Sequence, residues 1–192
     1  MSSLTELSTL DELSTLIKSF KGCEIAKNAT NSVIGQGCFV GPKVFAIGEA
    51  PGQEEDMRGI PFCGRSGKLL NKILSGFDLT RDNNLYVTNS VFWRPPNNRK
   101  PFPSEIELCR PYIDKMIEIS KPKFILLIGA TSFESLFNQS CTFKEVRKQI
   151  LFYKNIPTGV IYHPSYLLRQ PNKVHEVESD LREFMKFIES LI

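Results

Sequence analysis

Four short apolar runs punctuate the chain: Lys43–Gly48, Leu85–Asn89, Phe124–Gly129 and Val160–His163. Their continuity predicts strands buried on both faces, because a half-exposed strand would alternate polar and apolar residues. The stretches that follow them, Ser66–Phe77, Ser104–Ser120, Thr131–Phe137 and Val174–Ile192, read as helices. Pro103 and Ser104 open the second helix, and Glu105, Glu107 and Lys115 suit its dipole. Pro111 should start a second segment or kink it. Strands alternating with helices predict an α/β fold with a parallel sheet covered on both faces. No linker-like stretch divides residues 1–192, so one domain is expected.

Ahead of the first strand, Leu4-Thr5-Glu6-Leu7-Ser8-Thr9 is echoed by Leu10-Asp11-Glu12-Leu13-Ser14-Thr15. A six-residue step suits neither a heptad nor a solenoid repeat. Leucines three apart also drift round a helix and smear its apolar stripe. The expectation is a local duplication that lengthens an N-terminal helical extension over residues 1–20. It would dock through Leu13, Leu16, Ile17 and Phe20 and carry no chemistry.

Composition narrows the picture only a little. The 192 residues are 41% hydrophobic and 23% charged, ordinary globular values that suit one domain. A net charge of +3 and a pI near 8.6 permit a polyanionic partner without demanding one. The five cysteines, Cys23, Cys38, Cys63, Cys109 and Cys141, are odd in number and contain no C-x-x-C pair. They read as reduced thiols of a cytoplasmic protein. Met1-Ser2-Ser3-Leu4-Thr5-Glu6 lacks a basic stretch, against a signal peptide. Phe124–Ile128 is too short to span a membrane.

Open α/β sheets bind ligands beyond the carboxyl ends of their strands. Those ends carry Gly48-Glu49-Ala50-Pro51-Gly52, Thr88-Asn89, Gly129-Ala130-Thr131 and His163-Pro164-Ser165. Each has a plain alternative: the glycines turn the chain, Asn89 caps, His163 packs. Convergence of three such side chains on one sheet edge favours a site. His175, on the last helix, reads as solvated.

A longer ordered set is more specific. Gly48-Glu49-Ala50-Pro51-Gly52-Gln53-Glu54-Glu55-Asp56 precedes Pro61-Phe62-Cys63-Gly64-Arg65-Ser66-Gly67. Val87-Thr88-Asn89, Arg94-Pro95-Pro96-Asn97-Asn98-Arg99 and His163-Pro164-Ser165-Tyr166-Leu167-Leu168-Arg169 follow. Five motifs in this order resemble the family-4 uracil-DNA glycosylases, from roughly Cys23 to Arg169. The resemblance implies a four-stranded parallel sheet between helices, a three-layer sandwich, and a monomer that excises uracil from single- or double-stranded DNA.

It also implies roles. Excision needs a pocket for a flipped base, donors aimed at the uracil oxygen that gains charge, and a placed water. His163 matches the donor and Glu49 the residue that holds or polarises water. Phe62 matches the stacking aromatic, and Asn89 can pair with uracil N3–H and O4. Gly48 completes the pocket. Ala50 stands where other uracil-DNA glycosylases carry an aspartate, which favours a largely dissociative path. Glu55 is either a wall against a 5-methyl group or a solvated acid. Gly64, Arg65 and Ser66 precede a helix whose backbone N–H groups can meet a phosphate. Ser165, Leu167, Leu168 and Arg169 match the DNA-contacting loop that enters the base stack.

Many family-4 members hold a 4Fe–4S cluster on four cysteines. Here Cys23 and Cys109 match two of those positions, and Phe20 and Trp93 occupy the others. Two thiolates do not hold such a cluster conventionally, so no cofactor is expected. The branch that traps DNA covalently carries a histidine-ended insert, which Asn97-Asn98-Arg99-Lys100-Pro101 lacks. Two alternatives stay open: a non-catalytic DNA or nucleotide binder on the same fold, and a glycosylase for hypoxanthine or xanthine.

Overall fold

The computed structural model describes residues 4–137 and 143–190. Cys141 and the final two residues of the helix expected through Ile192 lie outside the described residues. The four expected strands form the middle of the sheet: β2 (Val44–Gly48), β3 (Leu85–Asn89), β4 (Phe124–Ile128) and β6 (Ile156–Ile161). All four run parallel, in the order β3-β2-β4-β6. Two short strands extend them: β1 (Gln36–Gly37) pairs antiparallel with β3, and β5 (Leu151–Tyr153) antiparallel with β6. The sheet therefore has six strands rather than four. Two- and three-residue edges carry too little pattern to be read from sequence, and their brevity suits an edge that must not recruit another strand.

Every residue of β2, β3 and β4 is buried. Alternate side chains go to opposite faces. Phe45, Ile47, Tyr86, Ile125 and Leu127 join one core with Leu13, Ile17, Ile106, Cys109 and Met116. Val44, Ala46, Leu85, Val87, Phe124 and Leu126 join the other with Leu70, Leu74, Leu181, Phe184 and Ile188. The first core lies under α1 (Leu10–Ser19), α5 (Pro103–Ser120) and α6 (Ala130–Phe137); the second lies under α4 (Arg65–Ser75) and α9 (Val174–Glu189). This is the expected three-layer sandwich.

The repeated hexapeptide does not build one long helix. Its first copy supplies a 3-10 turn, Leu4–Glu6, and then the cap of α1. Thr9 Oγ1 accepts from Glu12 N at 3.3 Å, and Glu12 Oε2 accepts from Thr9 N at 3.0 Å. This reciprocal box satisfies the first free amides and stops the helix from growing backwards. Leu13 and Ile17 are buried as expected, with Leu16 and Phe20 packed at the margin. No second segment starts at Pro111: α5 runs through it. Pro111 and Glu107 sit on the exposed face, where water can serve the carbonyl that the missing N–H leaves free. Lys115 does not serve a helix end; it is buried and donates to Glu118 and to the Thr5 carbonyl. Among the described residues, no helix is long and apolar enough to cross a membrane.

The packing of α9 depends on an aromatic contact through the second core. Phe184 is 1% exposed, and its ring lies 5.5 Å from that of Phe124. Phe184→Ala should cost about 3–5 kcal/mol, the transfer term plus the cavity it leaves. Urea unfolding of the variant checks this, and a loss under about 1 kcal/mol would show that the helix docks by other contacts.

Candidate active site

After β2 the chain moves to one side, to β3; after β4 it moves to the other, to β6. The order reverses between β2 and β4, which opens a crevice at their carboxyl ends. A cavity of about 280 Å³ sits there, lined by Glu49, Ala50, Pro51, Gly52, Glu55, Phe62, Ser66, Asn89, Asn98, Arg99, His163 and Ser165.

Glu49 emerges from the end of β2, and Thr131 stands in the first turn of α6, just beyond β4. Thr131 Oγ1 donates to Glu49 Oε2 at 2.5 Å. The bond spans the switch point and holds the carboxylate beside the cavity. Thr131 was visible as a strand-end residue, but only its partner in space gives it a function.

Asn89, the last residue of β3, is 2% exposed and Phe62 is 5% exposed. Both press on Gly48, the last residue of β2. A Cβ there would lie 2.4 Å from Phe62 Cζ and 2.5 Å from Asn89 Oδ1, so only glycine lets the ring and the amide close on the same wall. Ser90 ties the two strand ends together: its N–H and hydroxyl both donate to the Gly48 carbonyl, at 2.9 and 2.8 Å.

His163 follows β6 and caps α8 (Pro164–Arg169) with its own ring. Nδ1 accepts from the Ser165 backbone N–H at 3.3 Å and lies 2.7 Å from Ser165 Oγ. With Nδ1 an acceptor, the neutral imidazole carries its proton on Nε2. Burial pushes the ring below the usual histidine range, opposed by Glu49 and aided by Arg169. The Phe62 and His163 rings lie 6.3 Å apart at 39°, so both border one slot.

Several sequence expectations change in three dimensions. Ser165, expected against DNA, braces the imidazole through both its N–H and its hydroxyl. Glu55 does line the cavity, but its Oε1 accepts from Gly64 N at 2.8 Å. The Gly64 amide is thereby occupied and not free for a phosphate; the exposed Arg65 and the later amides of that helix remain. Leu167 is 2% exposed and packs in the second core, so this structure does not present it to a base stack. It lies on α8 rather than in a loop, and its helical neighbours Leu168, half-buried, and Arg169, exposed, face outward.

Asn98 and Arg99 line the cavity although no role was read for them. Asn97 and Asn98 both adopt φ of 55°, a left-handed pair that folds the loop over the mouth. Asparagine tolerates that region better than most residues, so the Asn-Asn pair was the available signal. Arg99 forks onto Glu105 at 2.7 and 2.9 Å, while Glu105 Oε2 also accepts from Phe102 N at 2.7 Å. The guanidinium stands 3.7 Å over the Phe102 ring, and its hydrogen bonds hold the Glu105 carboxyl below its ordinary range.

The four positions that would hold an iron–sulfur cluster do gather in the first core. Two of them are filled by rings: Phe20 and Trp93 pack with centroids 5.4 Å apart at 30°, and Trp93 is 2% exposed. Two aromatic rings stand where two thiolates are needed, so the residues do not fit the cluster. Among the described residues, no three or more His, Cys, Asp or Glu side chains gather to hold a metal ion.

The family model described as Uracil DNA glycosylase superfamily matches residues 34–191. The chain is 35% identical to a type-4 uracil-DNA glycosylase of Archaeoglobus fulgidus, covering 92% of each chain. It is 35% identical to that of Thermotoga maritima, over 95% of this chain and 94% of the other. A third, from Sulfurisphaera tokodaii, is 34% identical over 92% of this chain and 84% of its own. With the matched region containing the whole crevice from Gly48 to Ser165, the chain belongs to the uracil-DNA glycosylase superfamily.

Proposed function

We propose that this protein hydrolyses the N-glycosidic bond of uracil in DNA, as a monofunctional glycosylase that starts base-excision repair. The observation that carries this reading is one cavity bordered by Phe62, Asn89, His163 and Glu49, each supplied by a different strand end or loop. A flipped uracil would stack on Phe62 and meet the Asn89 amide with its N3–H and O4. As the glycosidic bond breaks, the electron pair leaves with uracil, and the His163 Nε2–H donates to the oxygen that gains charge. The sugar keeps oxocarbenium character, and water adds at C1′, its released proton neutralising the departed uracil anion. Glu49, held by Thr131, orients that water, and its charge favours the cationic sugar. Ala50 adds no second carboxylate, consistent with bond breaking well ahead of water attack. Among the described residues no lysine lines the cavity, which supports an intact abasic strand as product, since a lyase step needs an amine for a Schiff base. Arg65, Ser66, Leu168 and Arg169 are the proposed DNA contacts.

The same reading assigns the protein no iron–sulfur cluster, supported by the Phe20–Trp93 pair. Purified protein should lack stoichiometric iron and acid-labile sulfide; both present, with broad visible absorption, would overturn this assignment.

His163→Ala should lose roughly two to three orders of magnitude in single-turnover excision, the scale for removing one oxyanion donor. DNA affinity, measured by anisotropy, should change far less. A near-normal rate removes His163 from its role.

Asn89→Asp tests base reading. Cytosine presents N3 as acceptor and N4–H₂ as donor, the reverse of uracil, and a neutral aspartic acid can match it. The variant should lose most uracil excision and gain weak cytosine excision that grows as pH falls, while Asn89→Ala loses the first without the gain. Wild-type uracil rates in Asn89→Asp would show that Asn89 does not read the base.

A further inference from the structure

Phe62 holds its ring in the cavity from a backbone that phenylalanine rarely adopts. Its φ is +51°, and the other described non-glycine residues at positive φ are all Asp, Asn or Lys. A bulky residue left to itself avoids this region, so neighbours must impose it. Helix α4 supplies one constraint from below. A Cβ at Gly67 would lie 2.1 Å from the Phe62 carbonyl oxygen and 2.5 Å from its Cα, so the helix backbone presses directly on this residue.

The other constraint comes from outside the base cavity. Arg81, in the turn before β3, borders a separate hollow with Gln36, Gly37 and Asn71 and does not line the base cavity. Its Nη2 donates to the Pro61 carbonyl at 2.8 Å, the Phe62 carbonyl at 3.3 Å and Asn71 Oδ1 at 3.3 Å. Its Nη1 donates to Gln36 Oε1 at 2.5 Å. Asn71 Nδ2 adds a long contact to the same Phe62 carbonyl at 3.5 Å. The hydrogen-bond acceptors of this half-buried guanidinium are thus neutral oxygens, two of them the consecutive carbonyls that flank and end the Phe62 peptide.

We infer that Arg81 is a positioning residue for base recognition: by gripping the Pro61 and Phe62 carbonyls it holds Phe62 left-handed and its ring flat against the base slot. The ring packs at the edge of the second core, and the backbone at Phe62 sets the direction from which it enters the slot. Released from Arg81, the loop can relax to an ordinary φ, which turns the ring away from Asn89 and His163. The inference rests on the reading that Phe62 carries the flipped base.

Four single-turnover rates on a uracil-containing oligonucleotide test both statements separately: wild type, Phe62→Ala, Arg81→Met and the double variant. Phe62→Ala should slow excision about 10- to 100-fold, the scale of a misplaced substrate. Arg81→Met should slow it comparably, and the double variant should be no slower than Phe62→Ala, because both act through one ring. A general loss of stability would slow both backgrounds alike. If Phe62→Ala excises at the wild-type rate, the stacking reading fails and the positioning role falls with it. If Phe62→Ala is slow while Arg81→Met is normal, or if the two losses multiply, only the positioning role is overturned. Where Arg81→Met does not fold, Arg81→Lys gives the same comparison. Slowing beside Phe62 and none beside Phe62→Ala supports the inference; equal slowing in both overturns it.

Discussion

A sheet buried on both faces can offer chemistry only where its strands stop. Along β2, β3 and β4 every residue is buried, and a polar group placed there loses water and must find a partner inside the protein. Glu49, Asn89 and His163 therefore emerge at carboxyl ends, and the reversal of strand order between β2 and β4 leaves the gap into which they point. The cavity follows from the topology before any particular residue is chosen.

Position at a strand end brings the groups near one another but does not aim them. Aiming is done by a second set of contacts, most of them to the backbone. Thr131 holds Glu49 across the crevice, Ser165 sets the imidazole tautomer, and Ser90 ties the ends of β2 and β3 through the Gly48 carbonyl. Glu105 organises the loop over the mouth by accepting from Arg99 and Phe102. These braces draw on rigid elements, which keeps a site preorganised when charge develops in it.

The four positions that match the family's cluster cysteines show how apolar packing can join two parts of one core. Phe20 and Trp93 place two large rings at two of them, and the rings bury apolar area against Phe92 and each other. Packing of this kind is non-directional and tolerant, whereas a cluster needs all its thiolates at once. The same four positions thus link the N-terminal segment to α5 by hydrophobic contact.

Much of this protein was legible in the chain. Continuous apolar runs marked the four parallel strands, and strand-end placement with the five ordered motifs marked Glu49, Phe62, Asn89 and His163. Both signals are local: burial on two faces and the residue that ends a strand are written in consecutive positions. Other features depend on contacts between residues far apart in sequence. The edge strands Gln36–Gly37 and Leu151–Tyr153 exist because a neighbour offers free backbone groups. Leu167 sits in the second core because α8 turns it inward, and the Gly64 amide donates to Glu55. Thr131 and Arg81 carry no motif of their own, for a hydroxyl or a guanidinium becomes a brace only when folding brings its acceptor within hydrogen-bond reach. Sequence determined which groups the site contains; tertiary structure decided which way each one points.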